Sequence, residues 1–544
     1  MKTAATRPFL SALALLVLLG AAPFYSARAG ALETAIEQRL GTVLGSPRSD
    51  REIEALRAVY AEREYRPLWL DARTSDARAR ILSAALQAAD RDGLTPGDYD
   101  AATIRSRLAT SRTAKDRAAL DVLMSRSYIR YASDLSIGRL EPGKVDEELF
   151  IKRRSVAPGA LLAAVAAAGD LKKHLESLAP TSPRYKRLRK ALADFRGIAR
   201  RGGWPTLPGG ETLKPGMRDP RVPVLSVRLL QSGDLKTAGG GDTALFDAAL
   251  SAALGRWQFR HGLTPDGVLG KKTRAALNVP VEQRIAQMVL NLERRRWMPL
   301  DLGRKYVFVN MADFELKVVV DKKTVHVAHV VVGKPYHRTP VFSGMMTYVV
   351  INPFWNIPPS IARKEIVPAI RRNVGYLARK RITVLSGWGA DAVPVDPRTI
   401  DWRALKPSAF RYRLRQESGP GNALGRIKFM FPNPHSVYMH DTPARGLFKR
   451  TVRSFSHGCI RVQNPLKLVE LVLAANPGWT RQKIDETVAK GARTVVRLAA
   501  PIPVHLTYLT AWVNKDGSVN FRDDIYGRDK RLAAALARSH IITE

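Results

Sequence analysis

The chain has 544 residues, with 88 Lys and Arg against 49 Asp and Glu, a formal charge of +39 and a single cysteine. That length predicts two to four domains with separate cores, and one cysteine excludes an intramolecular disulfide. The basic excess suits polyanionic surroundings, but the arginines are scattered, and the export expected from the first residues argues against nucleic acid.

Lys2 and Arg7 precede an apolar core running from Phe9-Leu10 to Gly20-Ala21-Ala22, and Ala27-Arg28-Ala29 has the small-x-small form of a signal-peptidase site. Residues 1–29 are therefore expected to be a cleaved signal peptide, because the apolar run falls short of the roughly 20 residues that span a bilayer. Cleavage removes Lys2, Arg7 and Arg28 and leaves +36. The mature protein is expected to be soluble in the periplasm, with anionic wall polymers or lipid head groups as the polyanions nearby.

Residues 30–200 read as helical. Ile53, Leu56, Val59 and Tyr60, and then Ile81, Leu82, Ala85, Leu86 and Ala89, repeat at helical spacing. Asp92-Gly93-Leu94-Thr95-Pro96 marks a turn, and further helices are expected through Ala118–Leu135 and Leu161–Leu178. No site chemistry stands out, which suits a scaffold. Residues 201–224, rich in Gly and Pro, read as a linker. A small helical unit over 225–280 follows, its longest helix from Leu245 to Phe259.

From residue 304 the period changes to that of strands. Tyr306–Asn310, Leu316–Val320, Val325–Val332 and Thr347–Ile351 are short β-branched runs separated by turns, predicting a mainly antiparallel β region over 304–500. A Pro- and Arg-rich insertion, 356–425, interrupts it. Strands resume at Arg426–Phe431 and Ser436–His440. A helix is expected from Pro465 with Asn464 as its cap, and a hairpin over Ala511–Phe521 within a C-terminal extension, 501–544. The fold class is α+β.

The chain's one thiol sits in Ser456-His457-Gly458-Cys459. A thiol of ordinary pKa near 8.5 is about 3% ionised at pH 7, so nucleophilic work needs a base. Two imidazoles compete. His457 stands two residues before Cys459, on the same side of an extended segment, whereas His440 shares one face of its strand with Tyr438. Gly458 leaves backbone N–H groups unshielded, so those of Gly458 and Cys459 are candidates to face an oxyanion. Three other readings compete. A lone Cys can be a buried hydrophobe, but Ser-His-Gly neighbours do not suit a core. His440, Asp441, His457 and Cys459 contain zinc-ligand types, but their spacings match no zinc pattern. Gly419–Gly425 precedes a strand and lacks Gly-Lys-Ser/Thr, so it is no phosphate loop.

His440-Asp441-Thr442-Pro443 followed by Ser456-His457-Gly458-Cys459-Ile460-Arg461-Val462 resembles the L,D-transpeptidase family. Asn352-Pro353-Phe354-Trp355 and Arg415-Gln416 through Lys428-Phe429 resemble its large periplasmic members, although His457 stands where those often carry a second Ser. Residues 225–280 resemble a peptidoglycan-binding domain through Phe259, His261-Gly262-Leu263, Asp266-Gly267 and Gly270. Tyr65–Trp69 and Gly138–Pro142 echo the scaffold of the same large members. The resemblance implies Cys459 as nucleophile and His440 as base, with Ser456, His457 and Gly458 forming the nucleophile loop. It implies Tyr438, Trp355 and Arg461 as substrate-binding residues, residues 356–425 as a mobile cap, and no cofactor or metal. It further implies 3→3 cross-linking of tetrapeptide stems through a thioester, with glycan strands held by the small helical unit, contacts with other wall-synthesis proteins, a part in cell shape, and acylation by carbapenems. Carboxypeptidase or D-amino-acid exchange through the same thioester, or a non-catalytic wall-binding role, are the alternatives.

Overall fold

The computed structural model describes residues 30–42, 50–71, 75–237 and 242–541; the proposed signal peptide, 1–29, lies outside them. Among the described residues no helix is long and apolar enough to cross a membrane.

The N-terminal region is all helix: α1 (Ala31–Thr42), α2 (Asp50–Glu62), α3 (Ala77–Gln87), α4 (Ala101–Thr110), α5 (Ala114–Ile137), α6 (Pro142–Val145), α7 (Pro158–Ala166), α8 (Leu171–Ser177) and α9 (Pro183–Arg200). Thr113 caps α5 by accepting from Asp116 N–H. The helices pack their apolar stripes into one core that includes Leu56, Tyr60, Leu82, Tyr128 and Leu188. Buried Asp121 accepts backbone N–H bonds from Leu68, Trp69 and Leu70. That is why the Leu68–Leu70 segment can hold an irregular path: its donors are satisfied by a carboxylate instead of by a helix.

Helices α10 (Val222–Gln231), α11 (Ala248–Arg260) and α12 (Lys271–Leu277) form the second unit. Leu207 and Leu213 are buried in its core with Leu225, Phe246 and Trp257, and Leu213 bridges to Leu269. Part of the segment read as linker therefore belongs to this unit.

Helix α13 (Val281–Trp297) is an element with no counterpart in the sequence reading. Its Glu-Arg-Arg-Arg run looks solvated but is buried from Glu293 to Arg296. Glu293 accepts from Arg139 N–H at 2.6 Å, Leu140 N–H at 3.2 Å, Arg296 at 3.0 Å and the Trp297 indole at 3.1 Å. Arg296 also meets the Tyr185 hydroxyl at 3.0 Å and the Asp92 carbonyl. One helix thus ties the Gly138–Pro142 turn and α9 to the region that follows.

That region holds β1 (Lys305–Asn310), β2 (Glu315–Val320), β3 (Lys323–Gly333), β4 (Phe342–Ile351), β5 (Trp355–Asn356), β6 (Ile382–Leu385), β7 (Arg413–Gln416), β8 (Ile427–Met430), β9 (Met439–His440), β10 (Ser454–Ser456), β11 (Ile460–Val462), β12 (Thr494–Thr507), β13 (Ala511–Val513) and β14 (Val519–Phe521). The main sheet runs β10-β3-β11-β9-β8-β4-β12-β1-β2, and β2 also pairs with β3, closing it on itself. Closure removes the long free edges of an open sheet. Most pairings are antiparallel, but β1–β12, β9–β11 and β3–β10 are parallel. Alternation sends Val307 and Val309 inward and Tyr306 and Phe308 to a separate cluster with Leu509.

One domain boundary and one helix cap differ from the sequence reading. Residue 500 falls inside β12, whose second half pairs with β1 through Val504–Thr507, so the sheet continues into the supposed extension. Asn464 precedes α17 (Pro465–Leu473) in a left-handed conformation and makes no side-chain cap bond. The insertion is its own small body: α14 (Pro359–Ile361), α15 (Val367–Arg372), α16 (Gly375–Arg379) and a β5-β7-β6 sheet around Ile370, Val384, Trp402 and Leu414. Helices α18 (Arg481–Ala489) and α19 (Arg528–Ile541) complete the chain. The β13–β14 hairpin places Ala511, Val513 and Phe521 in the N-terminal helical core.

Removing a buried carboxylate with four donors leaves an unpaired buried cation. Glu293→Ala should therefore destabilise the protein by about 3–5 kcal/mol in denaturant unfolding; a loss under about 1 kcal/mol would show that the network is not a structural tie.

Candidate active site

The β8–β9–β11 register builds the site. Lys428 pairs with His440 across β8 and β9, and His440 pairs with Arg461 across β9 and β11. The alternate residues Phe429, Met439 and Ile460 enter the core. Because side chains alternate strictly, burying those three apolar residues forces Lys428, His440 and Arg461 side by side on the opposite face.

Cys459 stands one residue before β11 and is partly exposed. The Ile460 N–H donates to the Tyr438 carbonyl at 3.1 Å, fixing the thiol loop beside Tyr438. Both the backbone N–H and the hydroxyl of Tyr438 reach the sulfur, and the hydroxyl also meets the Trp355 side chain. The thiol donates to the Ser436 carbonyl at 3.7 Å. The β9–β11 pairing brings the thiol loop beside the His440 strand; the resting sulfur turns to the Ser436 carbonyl instead of the imidazole.

Ser456 organises the loop. Its hydroxyl donates to the Cys459 carbonyl at 2.6 Å and accepts from Gly458 N–H at 3.1 Å. The Gly458 N–H is therefore engaged, contrary to the expectation that it faces an oxyanion. Gly458 has φ 111°, a conformation suited to glycine, and its carbonyl accepts from the Thr339 hydroxyl at 2.8 Å. That backbone turn also breaks the extended geometry that would have put His457 beside Cys459. His457 instead points to the cap, where Nε2 meets the Glu365 carboxylate at 2.6 Å.

The His440 imidazole is buried, and its Nδ1 lies 2.5 Å from the Asp441 carbonyl. A carbonyl only accepts, so Nδ1 carries the proton and a neutral ring keeps its acceptor lone pair on Nε2. The orienting group is thus a backbone carbonyl. The Asp441 carboxylate faces away, accepting from Arg426 N–H at 2.9 Å and Thr442 N–H at 2.7 Å. A Cβ on Gly425 would overlap that carboxylate, and Gly425 has φ 62°.

On the β11 side of His440, Trp355, Tyr376, Gln416 and Arg461 line a cleft of about 250 Å³ between the cap and the sheet. The Arg461 Nε is buried without a hydrogen-bond partner. The four zinc-ligand types do not converge, since His457 serves Glu365 and Asp441 serves backbone; among the described residues no cluster of three or more His, Cys, Asp or Glu is placed to hold a metal ion. Sequence reasoning missed Lys428, Glu365, Thr339 and Ser436. Alternation in Ile427–Met430 could have flagged Lys428 as outward; the others lack any local signal.

Burial, then the charges of Arg461 and Lys428, hold the His440 pKa down at about 3. Burial pushes the Cys459 thiol up, opposed by Tyr438, Lys428 and Arg461. The resting pair is a neutral thiol and a neutral imidazole.

Residues 304–496 match the family model of the L,D-transpeptidase catalytic domain, residues 218–277 that of a peptidoglycan binding domain and residues 54–192 that of a scaffold domain. A Haemophilus influenzae protein, itself a provisional L,D-transpeptidase, is 34% identical over 255 residues, 47% of this chain and 50% of that protein. The match thus spans about half the length of this relative. A crystal structure of an L,D-transpeptidase from Xylanimonas cellulosilytica aligns at 15% identity and TM-score 0.18, covering 55% of this chain and 99% of that one. The chain carries an L,D-transpeptidase catalytic domain preceded by scaffold and peptidoglycan-binding domains.

With one cysteine in the chain, alkylation by iodoacetamide reports on Cys459 alone. A neutral resting thiol predicts a rate that climbs about tenfold per pH unit from pH 6 to beyond the ordinary thiol value near 8.5. A plateau between pH 6 and 7 would instead mean a preformed thiolate.

Proposed function

We propose that the protein is a periplasmic cysteine L,D-transpeptidase that forms 3→3 cross-links between peptidoglycan stem peptides. The reading rests on one juxtaposition: the chain's single thiol, partly exposed, in the loop that enters β11 beside β9, which carries a buried neutral imidazole whose Nδ1 proton is held by a carbonyl.

Cys459 Sγ attacks the carbonyl of the third stem residue, meso-diaminopimelate, while His440 Nε2 takes the thiol proton. The sulfur leaves the Ser436 carbonyl for the imidazole as substrate enters, since catalytic contacts commonly tighten only in the loaded site. The Cys459 N–H faces the oxyanion, because Ser456 occupies that of Gly458. The carbon–nitrogen bond to the terminal D-Ala breaks, the amine leaves with the proton from His440, and a thioester remains. The side-chain amine of a second stem then attacks the thioester, His440 removes its proton, and the restored thiol leaves with a new amide behind it. Tyr438, Trp355 and Arg461 hold the donor, the cap residues 356–425 cover it, and glycan strands lie on the 225–280 unit. No step requires a metal or organic cofactor.

Muropeptide mass spectrometry after incubation with tetrapeptide-rich wall tests this reading. Wild type should yield 3→3 dimers, Cys459→Ala none, and His440→Gln should turn over about 10²–10⁴-fold more slowly. Tripeptides without dimers would mean hydrolysis, exchanged tetrapeptides would mean D-amino-acid exchange, and unchanged dimers with Cys459→Ala would end the catalytic reading. A carbapenem should add its mass to the wild type and not to Cys459→Ala, and a chelator should leave activity intact.

A further inference from the structure

On the β8 and β4 side of His440 lies a second cleft, of about 230 Å³, lined by Tyr348, Phe354, Arg413, Arg415, Lys428 and Arg493 among others. Its four cations come from three separate pieces of chain. Lys428 stands on the outer face of β8. Arg413 and Arg415 take alternate positions of β7 while Leu414 enters the cap core. Arg493 stands just before β12.

Four like charges in one cleft repel unless an anion joins them. Glu417 offsets one, meeting Arg415 at 2.9 Å. Among the described residues, Arg413, Lys428 and Arg493 are in no ion pair. The Arg413 Nε is buried without a hydrogen-bond partner. Arg415 and Arg493 lie over the Phe354 ring at 4.8 and 5.9 Å from its centroid, and with Arg415 engaged by Glu417 it is Arg413 and Arg493 whose guanidinium donors stay open to a ligand. The Lys428 Nζ lies 3.8 Å from the Tyr438 ring centroid, and Tyr438 touches the sulfur, so the cleft opens one side chain away from the thiol.

We propose that this cleft is a carboxylate subsite for the peptide stem, with Arg413 and Arg493 as its specificity-determining residues. A planar carboxylate suits paired guanidinium donors. The assignment rests on the stem-peptide reading above, and two carboxylates of the donor share the required chemistry: that of the terminal D-Ala and that on the side chain of diaminopimelate. Their common feature is a negative charge close to the scissile carbonyl.

Binding, measured apart from catalysis, tests the proposal. In full-length Cys459→Ala, calorimetric titration with a tetrapeptide stem should give a Kd that rises about tenfold when Arg413→Gln or Arg493→Gln is added, with Tm retained. In the wild-type background the same substitutions should raise KM with kcat within about twofold, and leave iodoacetamide labelling of Cys459 unchanged. Stems amidated at the D-Ala terminus or at the diaminopimelate side chain separate the two sources. The amide that removes the recognised carboxylate weakens binding to the Cys459→Ala protein about tenfold and weakens binding to the Arg413→Gln protein no further. Equal penalties for both amides, with and without the arginine, would overturn the subsite, as would an unchanged Kd. Loss of cross-linking chemistry alone would bear on the nucleophile and not on this cleft.

Discussion

The site depends on a register. Phe429, Met439 and Ile460 must enter the core, and a strand cannot bury them without turning Lys428, His440 and Arg461 to the other face. A slip of one residue would exchange the two sets, so the packing energy of three apolar side chains also positions the imidazole. The two cations beside it, together with burial, keep the ring neutral. A neutral imidazole accepts a proton where an imidazolium does not, so the core and the chemistry follow from the same alternation.

Around that face the rest of the molecule supplies rigidity and cover. Glu293 and Arg296 on α13 bind the scaffold turn at Gly138–Pro142 and α9 to the element that leads into β1. The β13–β14 hairpin returns from the far end of the sheet to the scaffold core. The cap, with a core of its own, reaches the thiol loop through Glu365 and His457 and meets Tyr438 through Trp355. On opposite sides of His440 lie two clefts, each containing one of its cationic neighbours.

Much of this was legible in the sequence, and the illegible parts have a common cause. Helical spacing through residues 31–200 and β-branched runs after 304 reported local burial, and both elements formed. The thiol motif and the His440 strand were visible because their residue types are rare and close together. Whatever depended on long-range pairing was hidden. Glu365 meets His457 across 92 residues, and nothing local marks either as a partner. The burial of Glu293–Arg296 was hidden likewise, because the groups that satisfy it, at Arg139, Leu140, Tyr185 and Asp92, come from distant segments. Local chemistry misled twice: an open-looking Gly458 N–H is taken by Ser456, and an extended His457-Gly458-Cys459 path is broken by a positive φ.

The central claim is that the imidazole beside the thiol is neutral, with its proton on Nδ1, throughout the working pH range. Nitrogen-15 NMR of His440 in the resting full-length protein measures this directly. The account predicts one protonated and one unprotonated ring nitrogen, unchanged from pH 8 down to pH 5. A ring that titrates near 6.5, or an imidazolium at neutral pH that disappears in Cys459→Ala, would contradict it.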